Sequence, residues 1–452
     1  MRQLSRQDYA RAERFLPWNA ERLVFGLSVE PHWLDDGRFW YRRRAADGHA
    51  FVLVDPAADS SQPLFDHDRL AAALSVASGT AYVGTGLPFE KVEIAGPAAS
   101  PALRFTVAET RWRCDLASYA CEPEPAAPVQ GVPSPDGRWI ALARDGNLVV
   151  RAAASGTERA LTHDGEPENA YATPIPSPLE AAGIASAGGP PAPGAIWSPD
   201  GRRFVSYRID RRGAGQFHLV QSTPLNGSLR PVLHSYAYPL PGDEDVPRAE
   251  YVIFEAATGR RIPVPDVPAP LLYYGSPLRP ERVWWSEDGQ RVYVVSLGRG
   301  YRSYALSVVD AETGRARTLV QEQSETGIDP HPAYGGRPII HVLDDGRRVL
   351  WYSQRDGWGH LYLYDGETGA LIRQITSGPW AVTDVIHVDE RERVAYFTAV
   401  GREPGRDLYD NSLYRVSLDG GEPQLLTPED ATHQIAFSPD GSCFIDSYSH
   451  VD

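Results

Sequence analysis

Residue types that commonly carry out chemistry are present in this sequence, but few of them stand at a spacing that defines a site. No G-x-S-x-G pattern occurs, so no strained turn is available to raise a nucleophilic serine above a hydrolase sheet. Neither H-E-x-x-H nor C-x-x-C occurs, and the 12 histidines are scattered along the chain. We therefore predict no catalytic set, no bound metal and no cofactor.

Two local clusters have both a chemical and a structural interpretation. The acidic run Asp243, Glu244 and Asp245 could bind a cation, but a calcium site needs more oxygen ligands at defined spacing, which favours a solvated loop. His360, in "RDGWGHLYLYD", could be a functional group in a channel. A structural histidine beside Trp358 is the favoured interpretation.

The three cysteines cannot form a fully paired disulfide framework. Cys114 and Cys121 could face each other if "RWRCDLASYACEP" is a hairpin; otherwise they and Cys443 are ordinary small residues. The low cysteine count and the lack of a visible signal peptide predict a cytoplasmic protein. If the N-terminus has been trimmed, a signal peptide could be missing, and the protein would then be periplasmic or secreted.

Charge and composition exclude two classes of partner. The 452-residue chain has a net charge of −15, so nucleic-acid phosphates would be repelled. No apolar stretch approaches the 18 or so residues that a membrane-spanning helix needs. Apolar residues make up 42%, and the 41 glycines and 39 prolines leave little room for long helices.

One helix is predicted, at the N-terminus, in "SRQDYARAERFL". Ser5 can cap it, Asp8 stands three residues on, and Pro17 ends it. One face would carry Tyr9, Ala12 and Leu16. We assign residues 1–21 to this helical segment, which suggests an appendage that docks on another part of a larger assembly.

From residue 22 to 452 the sequence pattern predicts short strands separated by turns. Glycines after these strands recur at steps of 55, 55 and 52 residues, at Gly259, Gly314, Gly369 and Gly421. Between them lie Asp-Gly turn phrases such as "WSPDGRRFVSY", read as two-residue hairpins with positive φ. Repeats of roughly 50 residues that contain short strands joined by Asp-Gly turns are typical of propeller blades. The fold class is therefore all-β, a β-propeller of about eight four-stranded blades, with seven also allowed.

The repeat is interrupted at residues 164–196, where seven prolines replace the strand pattern. A long irregular insertion in a regular array commonly carries function. A second break, "YAYPLPGDEDVPRAE", places an acidic loop within a blade.

Longer phrases resemble a known family in the same order along the chain. They include "YARAERFLPWN", "SYAYPLPGDEDV", "WYSQRDGWGHLYLYD" and "SPDGSCFIDSYS". Together they are similar to the N-terminal propeller region of bacterial dipeptidyl peptidase IV-like enzymes, in the prolyl oligopeptidase family of serine peptidases. The resemblance implies that an α/β-hydrolase domain with the Ser, Asp and His triad follows in the parent protein, and that this chain is inactive alone.

The resemblance also implies how such a propeller serves the enzyme. It roofs the active site, so only peptides that pass its openings reach the serine. In the family, a short inserted helix presents two adjacent glutamates that hold the free α-amine of the substrate. The matching segment here lacks the Glu-Glu pair and offers Glu166, Glu168 and Glu180, of which Glu180 in "PSPLEAAG" best fits a helical turn. Dipeptide release could therefore give way to acylaminoacyl- or oligopeptidase-like specificity.

These considerations give two main functional hypotheses. In the first, the chain gates peptide substrate for a hydrolase domain of the same parent, and the isolated piece exposes an apolar face, including Leu16 and Trp18, that favours homo-oligomers. In the second, it is a stand-alone propeller that binds a protein or peptide. A propeller enzyme with its site in the axial channel, such as a lyase or glycosidase, is a weaker third.

Overall fold

The fold is described by a computed structural model. It describes residues 4–20, 23–25, 29–95, 101–124, 131–181, 192–224, 227–268, 272, 275–279, 281–333 and 336–450.

Seven four-stranded antiparallel sheets, blades 1 to 7, follow one another along the chain. Blade 1 contains β1 (His32–Trp33), β2 (Phe39–Ala45), β3 (Gly48–Asp55) and β4 (Ser60–Pro63). Blade 2 contains β5 (Glu93–Ala95), β6 (Ala102–Val107), β7 (Thr110–Asp115) and β8 (Cys121–Glu124). Blade 3 contains β9 (Val132–Pro133), β10 (Trp139–Arg144), β11 (Asn147–Ala152) and β12 (Glu158–Ala160).

Blade 4 departs from the pattern in two ways. It contains β13 (Asn169–Tyr171), β14 (Ile196–Trp197), β15 (Arg203–Asp210), β18 (Arg248–Glu255) and β19 (Arg261–Val264). Both β13 and β14 pair with β15, so the first strand of this blade is split. Between β15 and β18 the chain forms a separate hairpin of β16 (Gln216–Gln221) and β17 (Val232–Ala237).

The remaining blades return to the regular order. Blade 5 contains β20 (Val283–Trp285), β21 (Arg291–Leu297), β22 (Ser303–Asp310) and β23 (Ala316–Gln323). Blade 6 contains β24 (Ile340–Leu343), β25 (Arg348–Ser353), β26 (His360–Asp365) and β27 (Leu371–Gln374). Blade 7 contains β28 (Ala381–Asp389), β29 (Val394–Val400), β30 (Ser412–Ser417) and β31 (Gln424–Leu425).

A two-stranded sheet of β32 (Thr432–Phe437) and β33 (Phe444–Ser449) follows blade 7. The β-propeller predicted from the sequence is confirmed, with seven four-stranded blades, the smaller of the two numbers allowed. The division of the chain at residue 21 stays a prediction.

The first strand of each blade lies toward the centre of the ring. Trp197 in β14 donates its indole N–H to the carbonyl oxygen of Val132 in β9, and Trp285 in β20 donates to the carbonyl of Ile196 in β14, both at 2.9 Å. The first strands of neighbouring blades therefore touch, whereas fourth strands such as β4 and β27 are fully exposed. This is the order expected when first strands surround a central channel.

The hydrophobic core lies between blades. On β21, Val292 and Val294 pack in a cluster with blade 4, while Tyr293 and Val295 pack in a cluster with blade 6. Successive residues of a strand point to opposite faces. Each blade thus buries both of its faces only by having a neighbour on each side.

The recurring Ser-x-Asp-Gly phrase forms a turn anchored by its serine. In blade 3, Ser134 donates its hydroxyl to Asp136 at 2.6 Å and accepts the Trp139 backbone N–H at 2.9 Å. The same bonds recur in three other turns, at Ser198, Ser286 and Ser438. The glycine, Gly137 in blade 3, has positive φ and the aspartate does not, so these turns differ from the two-residue hairpins that the sequence suggested.

Antiparallel order gives the ring two different faces. The tight turns between first and second strands, and between third and fourth strands, share one end of the blades, which we call the turn face. Connections between second and third strands, and from blade to blade, share the other end, the loop face. The β16–β17 hairpin lies on the loop face. The chain also enters β1 and leaves β33 there, because β32 and β33 are antiparallel.

Within the described residues, four α-helices accompany the sheets. At the N-terminus, α1 (Arg6–Glu13) has the predicted capping box between Ser5 and Asp8, and none of its residues is buried. Pro17 does not simply end this helix; it begins α2 (Pro17–Ala20), where a proline costs no hydrogen bond. Between blades 1 and 2, α3 (His67–Ser78) buries Leu70, Ala71 and Leu74.

The fourth helix, α4 (Pro178–Ala181), is a single turn. Among the described residues, no helix combines the length and apolar character needed to cross a bilayer.

Cys114 and Cys121 form a disulfide, as their spacing in a hairpin allowed. They are directly opposite each other on β7 and β8, with their Cα atoms 4.1 Å apart. The bond fixes the outermost strand of blade 2. Cys443 is free.

Glycines in the turns between third and fourth strands predict a measurable test of blade contact. Gly369 in blade 6 has a φ of 74°, and a Cβ there would overlap the carbonyl oxygen of Leu319 in blade 5. Gly156 occupies the same turn position in blade 3 with a φ of 70°, but faces open space. We expect Gly369→Ala to lower the free energy of unfolding by roughly 2–4 kcal/mol, and Gly156→Ala by about 1 kcal/mol.

Urea denaturation of both variants measures the difference. Equal losses in the two proteins would show that strain in the turn, and not contact between blades, decides the cost.

Candidate functional site

The insertion at residues 164–196 emerges from the wall of the central channel. The predicted bounds include β13, so the irregular part is shorter than predicted: it leaves the first strand of blade 4 after Tyr171 and rejoins it at Ile196. Its two stems are joined because the Gly194 N–H donates to the Ala172 carbonyl at 2.9 Å. A side chain at Gly194 would overlap the buried ring of Tyr207, so only glycine fits there.

The insertion is also tied to the start of blade 5. Ile175 and Gly275 exchange two backbone hydrogen bonds, at 3.0 and 2.7 Å. Ile175 is buried in the cluster between blades 4 and 5. The described part of the insertion is therefore a fixed platform beside the channel; residues 182–191 of the predicted insertion lie outside the described residues.

Two of the three predicted acidic residues lie at the base of the platform and are neutralised. Glu168 pairs with Arg211 at 3.4 Å, and Glu166 pairs with Arg212 at 3.6 Å. Nearby, Asp164 pairs with Arg208 at 3.0 Å. These pairs are solvent-exposed and order the entry to blade 4 more than they stabilise it.

Glu180 lies apart from those pairs, on α4. Its carboxylate accepts the Ser177 backbone N–H at 2.7 Å, and its own N–H donates to the Ser177 hydroxyl at 3.3 Å. These bonds form a capping box on a helix that begins with Pro178. The backbone N–H of Ser177, with a further contribution from its side chain, lowers the pKa of the Glu180 carboxyl. Glu180 is thus an exposed, ionised carboxylate in a fixed turn.

The hairpin against which α4 packs was not predicted from the sequence. The helix packs against β17, which belongs to the hairpin between the second and third strands of blade 4. Both hairpin strands carry exposed apolar residues, among them Leu219, Val220 and Leu233. Alternation in "QFHLVQ" is a strand signal, but sequence alone could not distinguish it from a strand of a blade.

The predicted acidic loop after this hairpin is held by an arginine and gathers no metal site. Arg299 donates to the carbonyl oxygens of Leu240 and Asp243, and Asp243 accepts the Leu240 N–H at 2.7 Å. Of the described residues, the group with metal-ligand proximity is a different one, Glu429, His433 and Asp446. The sequence predicted no metal site there.

Two histidines of blade 6 have different environments. His360 is fully buried, and its ring nitrogens lie 3.0 Å from the Thr376 hydroxyl and the Gly378 carbonyl, so the structural interpretation is correct. Its aromatic neighbour is Trp380, while Trp358 is exposed. His341, in contrast, lies on β24 in the channel wall.

Exposed apolar side chains concentrate where the chain approaches the loop face. Large residues of the N-terminal segment are exposed, namely Leu4, Tyr9, Phe15, Leu16, Trp18, Leu23, Val24 and Phe25. Near the other end of the chain, the Ser447 hydroxyl accepts the Val29 backbone N–H at 3.4 Å. The chain therefore enters β1 and leaves β33 on the face that carries the hairpin and α4.

The arrangement of the described residues around Glu180 is suited to binding. A fixed carboxylate beside a channel can hold an ammonium group through charge-assisted hydrogen bonds. An apolar surface at the chain ends can be covered by another domain.

A family model described as the dipeptidyl peptidase IV (DPP IV) N-terminal region matches residues 98–452. Among curated proteins, a probable dipeptidyl peptidase 4 of Aspergillus fumigatus is 26% identical over 328 residues, covering 71% of this chain and 40% of the relative. A probable dipeptidyl peptidase 4 of Arthroderma benhamiae is 32% identical over 269 residues, covering 56% of this chain and 32% of the relative. The chain thus spans about two fifths of the first of these relatives.

Solved structures show the same fold. The Porphyromonas gingivalis dipeptidyl peptidase 4 structure aligns with a TM-score of 0.61 at 18% identity, over 99% of this chain and 58% of that one. A putative dipeptidyl aminopeptidase IV from Bacteroides ovatus gives 0.59 at 19% identity, over 93% and 57%.

The position of His341 predicts an acid sensitivity of the ring. Burial first, and then the positive charges of Arg337 and His387, lower the pKa of His341 to about 4. In the unfolded chain the His341 imidazole binds a proton near pH 6.5, whereas in the folded chain it does so only near pH 4. Stability should therefore fall by on the order of 2 kcal/mol as pH drops through this window.

Urea midpoints between pH 7 and pH 4 measure this loss. His341→Gln should flatten the dependence, and His163→Gln, at an exposed histidine, should leave it unchanged. A profile that is unaltered by His341→Gln would contradict the assignment.

Proposed function

Because the chain belongs to the dipeptidyl peptidase IV N-terminal region family, we propose that it is the non-catalytic, substrate-gating propeller of a dipeptidyl peptidase IV-like serine peptidase. One observation carries the proposal. The α4 helix with Glu180 packs on the β16–β17 hairpin at the loop face, where the chain also enters β1 and leaves β33. A catalytic domain joined at the chain end would therefore sit over the channel mouth and the platform.

The proposed partner is an α/β-hydrolase domain of the same parent protein. The exposed side chains of Phe15, Leu16 and Trp18 support it, since residues of this size seldom cluster on a surface that stays in water. In the isolated chain this surface favours self-association, which is the homo-oligomer expected from the sequence.

The proposed substrate is a peptide with a free N-terminus. Glu180 is the acidic candidate whose carboxylate has no arginine partner among the described residues, whereas Glu166 and Glu168 are paired. Held rigidly by Ser177, the Glu180 carboxylate would bind the substrate α-ammonium and set the distance to the scissile bond. Release of dipeptides follows from the names of the relatives and is part of the proposal.

The compartment stays a prediction. The sequence favours the cytoplasm, and the Cys114–Cys121 disulfide is of a kind that persists in oxidising compartments.

Division of labour between two domains predicts that the 452-residue chain is inactive on its own. We expect that the purified chain does not hydrolyse Xaa-Pro or Xaa-Ala chromogenic dipeptides. The full-length protein encoded by its source gene should hydrolyse them. Release of chromophore is the measurement. A reading frame that stops after Asp452, with a chain that binds peptides or a protein, would instead support the stand-alone propeller.

The Glu180 assignment predicts a specific loss in the full-length enzyme. Glu180→Gln should reduce kcat/KM for substrates with a free N-terminus on the order of tenfold to a hundredfold, the value of a hydrogen bond to a charged group. N-acylated substrates of the same sequence should be unaffected, and so should Glu168→Gln. If N-acylated substrates are preferred by the unaltered enzyme, acylaminoacyl-peptidase specificity replaces dipeptide release.

A further inference from the structure

The two-stranded sheet after blade 7 gathers three metal-ligating side chains. Glu429 lies in the connection from β31 to β32, His433 in β32 and Asp446 in β33. One ligand atom from each lies within 4.8 Å of the others. The cluster belongs to a different sheet from the one that carries the insertion with Glu180, and it includes no residue of the proposed substrate site.

Both ring nitrogens of His433 lie close to oxygen atoms, and Nδ1 faces the Asp446 carboxylate. Its Nε2 lies 3.3 Å from the Glu429 carbonyl oxygen, an arrangement that needs a proton on Nε2. Its Nδ1 lies 2.8 and 3.0 Å from the two carboxylate oxygens of Asp446. The His433 side chain has no solvent exposure and that of Asp446 is 19% exposed, so the two groups are held beside each other.

The orientation of His433 matches that of a metal ligand. Metal-binding histidines usually donate their second ring N–H to a carbonyl or carboxylate, which fixes the tautomer and frees the other nitrogen. Here the Glu429 carbonyl takes that role and Nδ1 points into the cluster.

The third side chain is available because its loop is held by other groups. Arg406 donates to the carbonyls of Thr427 and Pro428, and its Nε lies 4.0 Å from Asp430. The Glu429 carboxylate makes no hydrogen bond or ion pair within the part of the chain that the structure describes, and it is exposed.

We propose that Glu429, His433 and Asp446 bind a divalent transition cation of the zinc class. Two carboxylates and a neutral imidazole carry a charge of −2, which such an ion balances, and one nitrogen with two oxygens suits zinc better than calcium. Tetrahedral zinc needs ligand atoms about 3.3 Å apart, so Nδ1 and the Asp446 oxygen would separate by about half an ångström. A water molecule completes the coordination.

The ion joins three segments at the weakest sheet of the ring. It ties β32 to β33 and to the connection from blade 7, where the described chain has two strands and not four. Metal binding should therefore stabilise the folded chain in proportion to ln[metal] above the dissociation constant.

The test uses the purified 452-residue chain, stripped with a chelator and dialysed against Zn²⁺. We expect one equivalent of zinc at micromolar affinity or tighter, a rise in thermal midpoint, and visible absorption bands of a four-coordinate site with Co²⁺. Glu429→Gln should weaken zinc binding at least about tenfold. Asp430→Asn, at the neighbouring acidic residue, should leave zinc binding unchanged.

Three results would overturn the proposal. They are the absence of stoichiometric zinc binding, equal weakening in both variants, and a nitrogen NMR spectrum in which His433 is doubly protonated in the presence of zinc. The last would identify a buried imidazolium–carboxylate pair.

Discussion

Contact between the backbones of neighbouring blades is the constraint on which this structure depends. At Gly314 and Gly369 a blade approaches the outer strand of its predecessor so closely that a Cβ would overlap a carbonyl oxygen. Indole-to-carbonyl bonds tie the inner strands at a similar step, and Arg291 and Arg317 donate from blade 5 to the carbonyls of Asp345 and Gly366 in blade 6. The hydrophobic clusters between blades can close only at this spacing.

The added elements of blade 4 lie at the loop face and leave the pairing within its sheet intact. Ser-x-Asp-Gly turns satisfy their own polar groups at the turn face. Contacts between blades also occur at the loop face, where the Tyr171 N–H donates to the Gly146 carbonyl at 2.8 Å, but the connection between second and third strands varies from two residues in blade 3 to a segment with the β16–β17 hairpin in blade 4. Blade 4 carries both a split first strand and an extra hairpin while its β15–β18 pairing runs unbroken over eight residue pairs.

Much of the fold could be predicted from sequence because it repeats. Turn glycines at steps of 52 to 55 residues report the blade directly, and a Ser5–Asp8 capping box reports α1. What could not be predicted depends on contacts between segments distant in sequence. The β16–β17 hairpin has ordinary strand character, and only the pairing of β15 with β18 shows that it lies outside the blade.

The candidate site was predicted only in part, because it too depends on contacts between segments that are distant in sequence. Glu180 was found from a local helical signal and a resemblance, but the arginines that neutralise Glu166 and Glu168 lie more than 40 residues away. The cluster around His433 was missed, although a signal existed. The register of the last hairpin places His433 opposite Tyr448, so Asp446, two residues away, shares its side of the sheet.

The way the ring closes has a mechanical consequence. Many circular β-structures lock shut by sharing strands from both chain ends in one sheet. Here β1 and the β32–β33 pair belong to separate sheets, and the bond from Val29 to Ser447 bridges the gap between them. Radial strain would part the molecule at this seam first. Under the gating role proposed above, this seam is where the central opening would widen to admit a bulkier chain while every four-stranded sheet stays intact.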